Sequence, residues 1–277
     1  MKIALCNEVL QPMPFAEQCI YAKALGYDGL ELAPFTIADT PHQLSRAAIV
    51  ATRRAASDAG IAITGLHWLL VKPPGLSITS EDAGVRSRTV DIMRTLIDLC
   101  AELGGNYLVH GSPAQRRISP GDTRDAALAR ATECWAVAGA HARAAGVTYC
   151  IEPLSRDQTD LVNTVAEAAA LVDKIGNPAL RTMLDTCSAG LAETEALPAI
   201  ITRYVGSGHL AHIQMNDRNR RGPGEGNDTF APIFRALGES RYSGVLAVEP
   251  FVYEPDGRTC AARSIGYIKG ILEALDL

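Results

Sequence analysis

Short apolar runs alternate with longer amphipathic segments along the whole chain. Eight of the short runs have the length and composition of buried β-strands. They are Lys2–Cys6, Gly29–Leu32, Ile61–Leu66, Tyr107–Val109, Thr148–Ile151, Arg181–Leu184, Leu210–Ile213 and Val245–Val248. Apolar residues at helical spacing fill the segments between them, most clearly at Thr123–Ala145 and Val165–Ile175. A glycine follows several of the helical segments, as is typical of a helix C-terminus, at Gly26, Gly60, Gly104 and Gly146.

Strands separated by helices predict parallel pairing, because each helix returns the chain to the same end of the sheet. The fold class that follows is α/β, a (β/α)8 TIM barrel, and 277 residues suit a single domain spanning residues 1–277. The alternative is an open, doubly wound sheet, which usually has a glycine-rich turn after its first strand. The first turn here, CNEVLQPMPF, contains no glycine, and this favours the barrel.

Composition and charge narrow the class of protein. The net charge of -5 is unlike the basic face of nucleic-acid-binding proteins, so no nucleic-acid partner is expected. No apolar stretch reaches the roughly 18 residues of a membrane span, so no membrane partner is expected either. The first apolar run meets Asn7 and Glu8 too soon for a signal peptide. Seven cysteines without a CxxC motif are typical of reduced, buried thiols in a cytoplasmic protein.

Polar residues stand where each of the eight apolar runs ends. In sequence order they are Asn7 or Glu8, Glu31, His67, His110, Glu152, Asp185, His212 and Glu249. A single residue of this kind is usually a turn former or a hydrogen-bonded core group. The eight ends of a barrel converge on one mouth, however, where several buried carboxylates would repel one another unless a cation compensates them.

The last four of these residues indicate a metal site. Glu152, Asp185, His212 and Glu249 supply three carboxylates and one imidazole. This donor set suits one divalent metal ion, Mn²⁺ or Co²⁺ first, with Mg²⁺ and Zn²⁺ as alternatives. Three carboxylates around a doubly charged ion leave a net negative charge, so we expect a small-molecule substrate that is neutral at the metal.

Six motifs in the second half of the chain carry a resemblance to a known family. They are IEPLSR at 151–156, LVNTVAEAAALVD at 161–173, MLDT at 183–186, HIQMNDR at 212–218, PGEG at 223–226 and AVEPF at 247–251. With them the chain resembles the xylose-isomerase-like TIM-barrel superfamily of sugar isomerases and epimerases. Within it, the chain is similar to the D-tagatose and D-psicose 3-epimerases and the hydroxypyruvate isomerases. The resemblance implies a sugar-like substrate and a homo-oligomer.

The resemblance also implies roles for individual residues. Glu152 and Glu249 would be the catalytic acid–base pair as well as metal ligands, together with Asp185 and His212. Arg218 would contact substrate oxygens, and the alternative is a solvated loop charge.

Two positions depart from the ketose 3-epimerases. Gln158 and Ser188 replace a glutamate and a histidine that hold the terminal hydroxyl and the carbonyl of the ketose. We keep Gln158 as a substrate contact, but these replacements weaken the case for a free ketose.

His67, His110 and Trp68 are further candidate substrate contacts. A histidine at a strand end is often only a hydrogen-bonded structural group, but both histidines stand at the predicted mouth. Trp68 could form an apolar wall for a sugar ring or simply pack in the core. The superfamily that the chain resembles also includes the endonuclease IV type DNA-repair enzymes, which use histidines near these positions in a multi-zinc cluster. The further ligands of that cluster are missing from this sequence.

The function that follows is a divalent-metal-dependent isomerase or epimerase of a sugar or keto-sugar. It would abstract a proton α to a carbonyl while the metal stabilises the enediolate. The alternative is a lyase or dehydratase that uses the same site on a keto-polyol or a 3-keto-glycoside. An AP-endonuclease-like hydrolase and a barrel that only binds ligands remain as further hypotheses, and the sequence does not separate isomerisation, epimerisation and elimination.

Overall fold

In a computed structural model that describes all 277 residues, eight parallel strands close into a barrel in sequence order. The strands are β1 (Lys2–Cys6), β2 (Gly29–Leu32), β3 (Ala62–Leu66), β4 (Tyr107–His110), β5 (Thr148–Ile151), β6 (Leu180–Asp185), β7 (Leu210–Met215) and β8 (Val245–Val248). The α-helices are α1 (Phe15–Leu25), α2 (Arg46–Asp58), α3 (Ala83–Leu103), α4 (Arg124–Ala145), α5 (Val165–Ile175), α6 (Thr186–Ala192), α7 (Leu197–Gly206), α8 (Ala231–Glu239) and α9 (Gly257–Ala274). The predicted (β/α)8 TIM barrel is therefore confirmed.

Local sequence signals define the ends of the helices that surround the barrel. The side chains of Asp82, Thr123 and Thr164 cap the first turns of α3, α4 and α5 by accepting backbone N–H groups. All four predicted glycines have positive φ: Gly26, Gly104 and Gly146 directly follow α1, α3 and α4, and Gly60 lies two residues after the end of α2. No helix is long and apolar enough to cross a lipid bilayer, and all seven cysteines are buried and unpaired.

The strands present alternate residues to the barrel interior and to the helix layer. In the interior, Gly65 makes room for the ring of Tyr107, because a Cβ at position 65 would lie 2.6 Å from that ring. The apolar core fills the space between barrel and helices, with Trp135 of α4 fully buried in it.

Three strands extend further than the apolar pattern predicts. β4 includes His110, β6 includes Asp185, and β7 continues two residues beyond Ile213 to Met215. The added residues are mostly polar, and a hydrophobicity pattern assigns such residues to the following loop. The extension of β7 matters most, because it changes which side chain lies at the mouth of the barrel.

Candidate active site

Three carboxylates meet at the carboxyl-terminal mouth of the barrel. Glu152 follows β5, Asp185 ends β6 and Glu249 follows β8. The three side chains are buried, and one oxygen from each lies within 4.8 Å of the others. The structure thus brings together three of the four side chains that the sequence assigns to a metal.

Burial makes this cluster of carboxylates unfavourable without a positive charge. Burial, together with the charges of Glu249 and Asp185, raises the pKa of Glu152 well above its usual value. Burial also raises the pKa of Asp185 to about 6 and the pKa of Glu249 to about 8. A divalent cation would compensate both the lost hydration and the mutual repulsion. The donor set therefore fits a hard divalent cation.

The two carboxylate oxygens of Asp185 have different roles: one caps a helix and the other faces the candidate site. Oδ1 accepts a hydrogen bond of 2.7 Å from the backbone N–H of Ser188 and so caps α6. Oδ2 is buried and has no hydrogen-bond partner. Buried acceptors without a partner are rare, because nothing replaces their lost hydration. The free oxygen is therefore available to a cation.

Gly111 and Arg116, which follow β4, define the position of Glu152. The sequence analysis identified neither of them. A Cβ at Gly111 would lie 2.0 Å from Oε2 of Glu152, so a larger residue there would displace the carboxylate. Arg116 is fully buried, and its Nη1 donates a hydrogen bond of 2.7 Å to the carbonyl oxygen of Glu152. Both lie in the segment HGSPAQR, which the sequence alone does not distinguish from an ordinary loop.

His212, the expected fourth ligand, lies elsewhere in the barrel interior. Its Nε2 is 2.9 Å from Oε2 of Glu31, and its ring stacks on Tyr107 with the centroids 4.1 Å apart. It does not belong to the group formed by the three carboxylates. The physical reason is the extension of β7: His212 is the third of six strand residues, so it lies deeper in the barrel than a four-residue strand predicts. The geometry corrects the expectation that His212 binds the metal with them.

Gln214 takes the strand position that the sequence analysis gave to His212. It pairs in register with Asp185 on the neighbouring strand, so the two side chains lie on the same face at the same height. Its Nε2 donates a hydrogen bond of 2.7 Å to Oε1 of Glu31, whereas its own Oε1 is buried and has no partner. The period-2 alternation through LAHIQM, which points His212 and Gln214 the same way, is the signal that could have identified it.

His67 connects two carboxylates at the edge of the cluster. Its Nδ1 lies 2.9 Å from Oε1 of Glu249, and its Nε2 lies 2.9 Å from Oε2 of Glu8. Burial alone would lower the pKa of His67, but Glu8, Glu249 and Glu31 outweigh it and raise that pKa well above its usual value. A protonated imidazole donates to both carboxylates, so His67 holds one oxygen of Glu249 in place.

A cavity of about 180 Å³ lies beside the carboxylates and is lined by Glu152 and Glu249. Trp68 and Phe251 form an aromatic wall, with their rings edge to face and the centroids 6.2 Å apart. Other lining residues are His67, Gln158, Ser188 and Arg220. Three of the predicted substrate contacts, His67, Trp68 and Gln158, therefore lie in one small cavity. A few polar groups on a partly apolar wall suit a small polar ligand.

Arg218, a predicted substrate contact, faces away from this cavity. Its guanidinium forms an ion pair with Asp228, with Nη2 and Oδ1 2.6 Å apart, in a different surface depression. Arg220 lines the cavity instead, and its Nη2 lies 2.5 Å from Oδ2 of Asp157. Three arginines lie within four residues here, and their loop has no periodicity that would tell which one turns inward.

His110, another predicted contact, lies between the barrel and the helix layer. The hydroxyl of Tyr149 lies 2.7 Å from its Nδ1, and the indole N–H of Trp135 donates to the same nitrogen at 3.2 Å. Burial and the charge of Arg116 lower the pKa of His110 to about 3. Gly111, the next residue, lines the cavity, so a shift of one position separates His110 from the site.

Comparison with known proteins identifies the family of this chain. The family model described as xylose isomerase-like TIM barrel matches residues 19–271. D-psicose 3-epimerase of Agrobacterium fabrum is 30% identical over 231 residues, which cover 82% of this chain and 76% of that protein.

Two solved structures share the fold over nearly the whole chain. A D-psicose 3-epimerase, solved in the presence of D-fructose, superposes with a TM-score of 0.84 at 23% identity over 98% of this chain and 99% of the other. A 3-keto-D-glucoside 4-epimerase from E. coli gives 0.83 at 20% identity over 98% and 99%. On these grounds, the chain is an enzyme of the xylose isomerase-like TIM barrel family.

Proposed function

We propose that this enzyme is a divalent-metal-dependent isomerase or epimerase of a sugar or keto-sugar. The observation that carries the proposal is the cluster of buried carboxylates from Glu152, Asp185 and Glu249 beside a small polar cavity. The relative named as a D-psicose 3-epimerase supports a sugar as the class of substrate.

The proposed metal ligands are Glu152, Asp185, Glu249 and Gln214, with Gln214 in place of His212. An all-oxygen set favours Mn²⁺ over Co²⁺ and Zn²⁺, which accept nitrogen donors more readily. When bound, the ion would act as a Lewis acid on the carbonyl oxygen of the substrate.

Glu152 and Glu249 are the proposed proton carriers. They follow β5 and β8, which are separated by two strands, so they reach the cavity from different sides. His67 occupies only Oε1 of Glu249, which leaves Oε2 for other contacts. A positioned carboxylate can take a proton from a carbon next to a carbonyl and return it. His67, Trp68, Gln158 and Arg220 would then position the substrate.

The test of this proposal uses metal-free protein, added Mn²⁺ and a panel of ketoses and keto-sugars in D₂O, followed by NMR. We expect Mn²⁺-dependent exchange of a carbon-bound proton. Deuterium at C3 would indicate epimerisation of a ketose, and deuterium at C1 or C2 would indicate isomerisation. The proposal fails if the protein binds Mn²⁺ yet exchanges no proton of any substrate in the panel.

An elimination on a keto-polyol or a 3-keto-glycoside is the second candidate function. It is favoured by Gln158 and Ser188, which both line the cavity at positions where the sequence resemblance leads us to expect an acid and an imidazole. It would proceed from the same deprotonated carbon, and loss of water or of an aglycone would appear in the same spectra.

We also propose that the enzyme is a homo-oligomer, as the resemblance implies, and that it is cytoplasmic, as its unpaired buried cysteines suggest. Light scattering at micromolar concentration should then give a mass that is a multiple of 29.5 kDa. A monomer mass would contradict the proposed assembly without affecting the proposed chemistry.

A further inference from the structure

Glu31 is a buried carboxylate in the barrel interior that the proposed mechanism does not use. It is fully buried, and each of its oxygens has its own partners. Oε1 accepts the hydrogen bond from Nε2 of Gln214 at 2.7 Å. Oε2 accepts one from the hydroxyl of Tyr107 at 2.5 Å and lies 2.9 Å from Nε2 of His212. Tyr107 and His212 therefore hold one oxygen of Glu31, and the other oxygen contacts Gln214.

The hydrogen bond to Glu31 determines which end of the Gln214 amide faces the metal cluster. An ionised carboxylate only accepts hydrogen bonds, so the amide must present its –NH₂ group to Glu31. The amide oxygen must then point the other way, and this oxygen is the buried Oε1 that has no partner. The pairing of Gln214 with Asp185 places it level with the carboxylate cluster. With the reverse orientation, –NH₂ would face a cation and could not bind it.

We propose that Glu31 is a positioning residue that holds the Gln214 amide with its oxygen directed at the metal ion. This inference rests on the proposed metal site and extends it to a residue that cannot itself reach the ion. Partners of metal ligands commonly fix ligand orientation, and their loss typically costs about 10- to 100-fold in metal affinity. Glu31 would thus contribute to metal affinity mainly through Gln214, and to a smaller extent through His67, whose Nδ1 lies 3.7 Å from Oε1 of Glu31.

The test is a double-mutant cycle on the Mn²⁺ affinity of the metal-free, full-length protein, measured by calorimetry and by EPR of free Mn²⁺. Glu31→Gln keeps the size of the side chain but no longer dictates the amide orientation, so we expect affinity to fall about 10-fold. Gln214→Ala should lower it at least as much. In the Gln214→Ala background, Glu31→Gln should cost less than about 2-fold, because both act through one amide.

Tyr107→Phe is the matched control, since it removes a buried hydrogen bond from the other oxygen of Glu31. It leaves His212 2.9 Å from that oxygen to hold Glu31, and it leaves the bond to Gln214. Its Mn²⁺ affinity should stay within about 2-fold of the wild type. If Glu31→Gln does not fold, Glu31→Asp, which is too short to reach Gln214, replaces it with the same expected pattern.

Wild-type affinity in the folded Glu31 variant would overturn the inference and leave the proposed function standing. The inference would also be overturned if Glu31→Gln lowered the Mn²⁺ affinity equally in the wild type and in the Gln214→Ala background. A wild-type protein that binds no Mn²⁺ would overturn both.

Discussion

Glu152 and Glu249 each have two roles in the proposed mechanism, as metal ligand and as proton carrier. A glutamine at either position keeps an oxygen for the metal but cannot accept a proton. We therefore expect Glu152→Gln and Glu249→Gln to bind Mn²⁺ and to lose turnover by at least about 100-fold, the scale of general-base loss. Turnover and bound metal are measured on the same samples. Near-normal turnover in metal-loaded variants would move the proton transfer elsewhere, and His67 would be the next candidate.

The pKa of His110 tests whether this side chain is buried as the structure shows. Its pKa in the fold is lowered to about 3 by burial and by Arg116, whereas an unfolded histidine titrates near its ordinary value of 6.5. As the pH falls below 6.5, the unfolded chain binds a proton that the folded protein does not. The contribution of His110 to the free energy of unfolding is thus complete above pH 6.5 and decreases by about 2 kcal/mol by pH 5.

NMR of the imidazole protons should show no titration of His110 between pH 8 and pH 5. His110→Gln, which keeps a hydrogen-bond acceptor and cannot titrate, should reduce the dependence of unfolding free energy on pH across the same interval. A His110 signal that moves with a midpoint near 6.5 would contradict the burial argument.

At the scale of the element, β7 shows what the sequence predicts and what it does not. The apolar run locates the strand and its direction, but it ends at Ile213 because Gln214 is polar. In the barrel, the position after Ile213 points into a polar interior, where a strand residue need not be apolar. A shift of one residue likewise separates Gly111, which lines the cavity, from His110, which does not. Sequence thus predicts the carboxylates, which end or follow their strands, better than it predicts their neighbours.

Asp185 caps α6 and is also a proposed metal ligand. Its substitution should therefore have two separable effects, one on the stability of the fold and one on Mn²⁺ affinity. Asp185→Asn retains a side-chain oxygen that can cap the helix, whereas Asp185→Ala removes it. In the absence of metal, we expect the alanine variant to unfold with a free energy about 1 kcal/mol below that of the asparagine variant. Both variants should bind Mn²⁺ more weakly than the wild type, and excess Mn²⁺ should partly restore turnover in Asp185→Asn.

Urea unfolding in EDTA and Mn²⁺ titration measure the two effects of the Asp185 variants. Equal stability of the two variants would argue against the cap. Wild-type Mn²⁺ affinity in the asparagine variant would argue against the ligand role.

At the scale of the whole molecule, repetition makes the fold predictable. Eight strands with helices between them can close in few ways, and the parallel barrel is the common one. In such a barrel, the carboxyl-terminal ends of all the strands meet at one mouth. Which side chains turn toward the mouth depends on register and on loop conformation, as Arg218 and Arg220 show. These are properties of the assembled barrel, so the sequence locates the carboxylate cluster, whereas its neighbours can be identified only from the structure.

The carboxylate cluster should make the stability of the whole barrel depend on metal. An ion that binds only the folded state stabilises it by about 2.7 kcal/mol when its concentration is 100 times the dissociation constant. For a domain of this size, that corresponds to a rise in melting temperature of about 5–10 °C. We expect this rise when Mn²⁺ is added to EDTA-treated protein in a thermal denaturation experiment.

The matched control for the thermal experiment is the triple variant Glu152→Gln, Asp185→Asn and Glu249→Gln. It preserves the size of the three side chains and removes their charges, so Mn²⁺ should not raise its melting temperature. Without metal it should melt at or above the temperature of the wild type, because the repulsion among buried carboxylates is gone. A similar Mn²⁺ shift in both proteins would show that the ion binds elsewhere. A metal-free triple variant that melts well below the wild type would show that the three carboxylates stabilise the barrel without a cation.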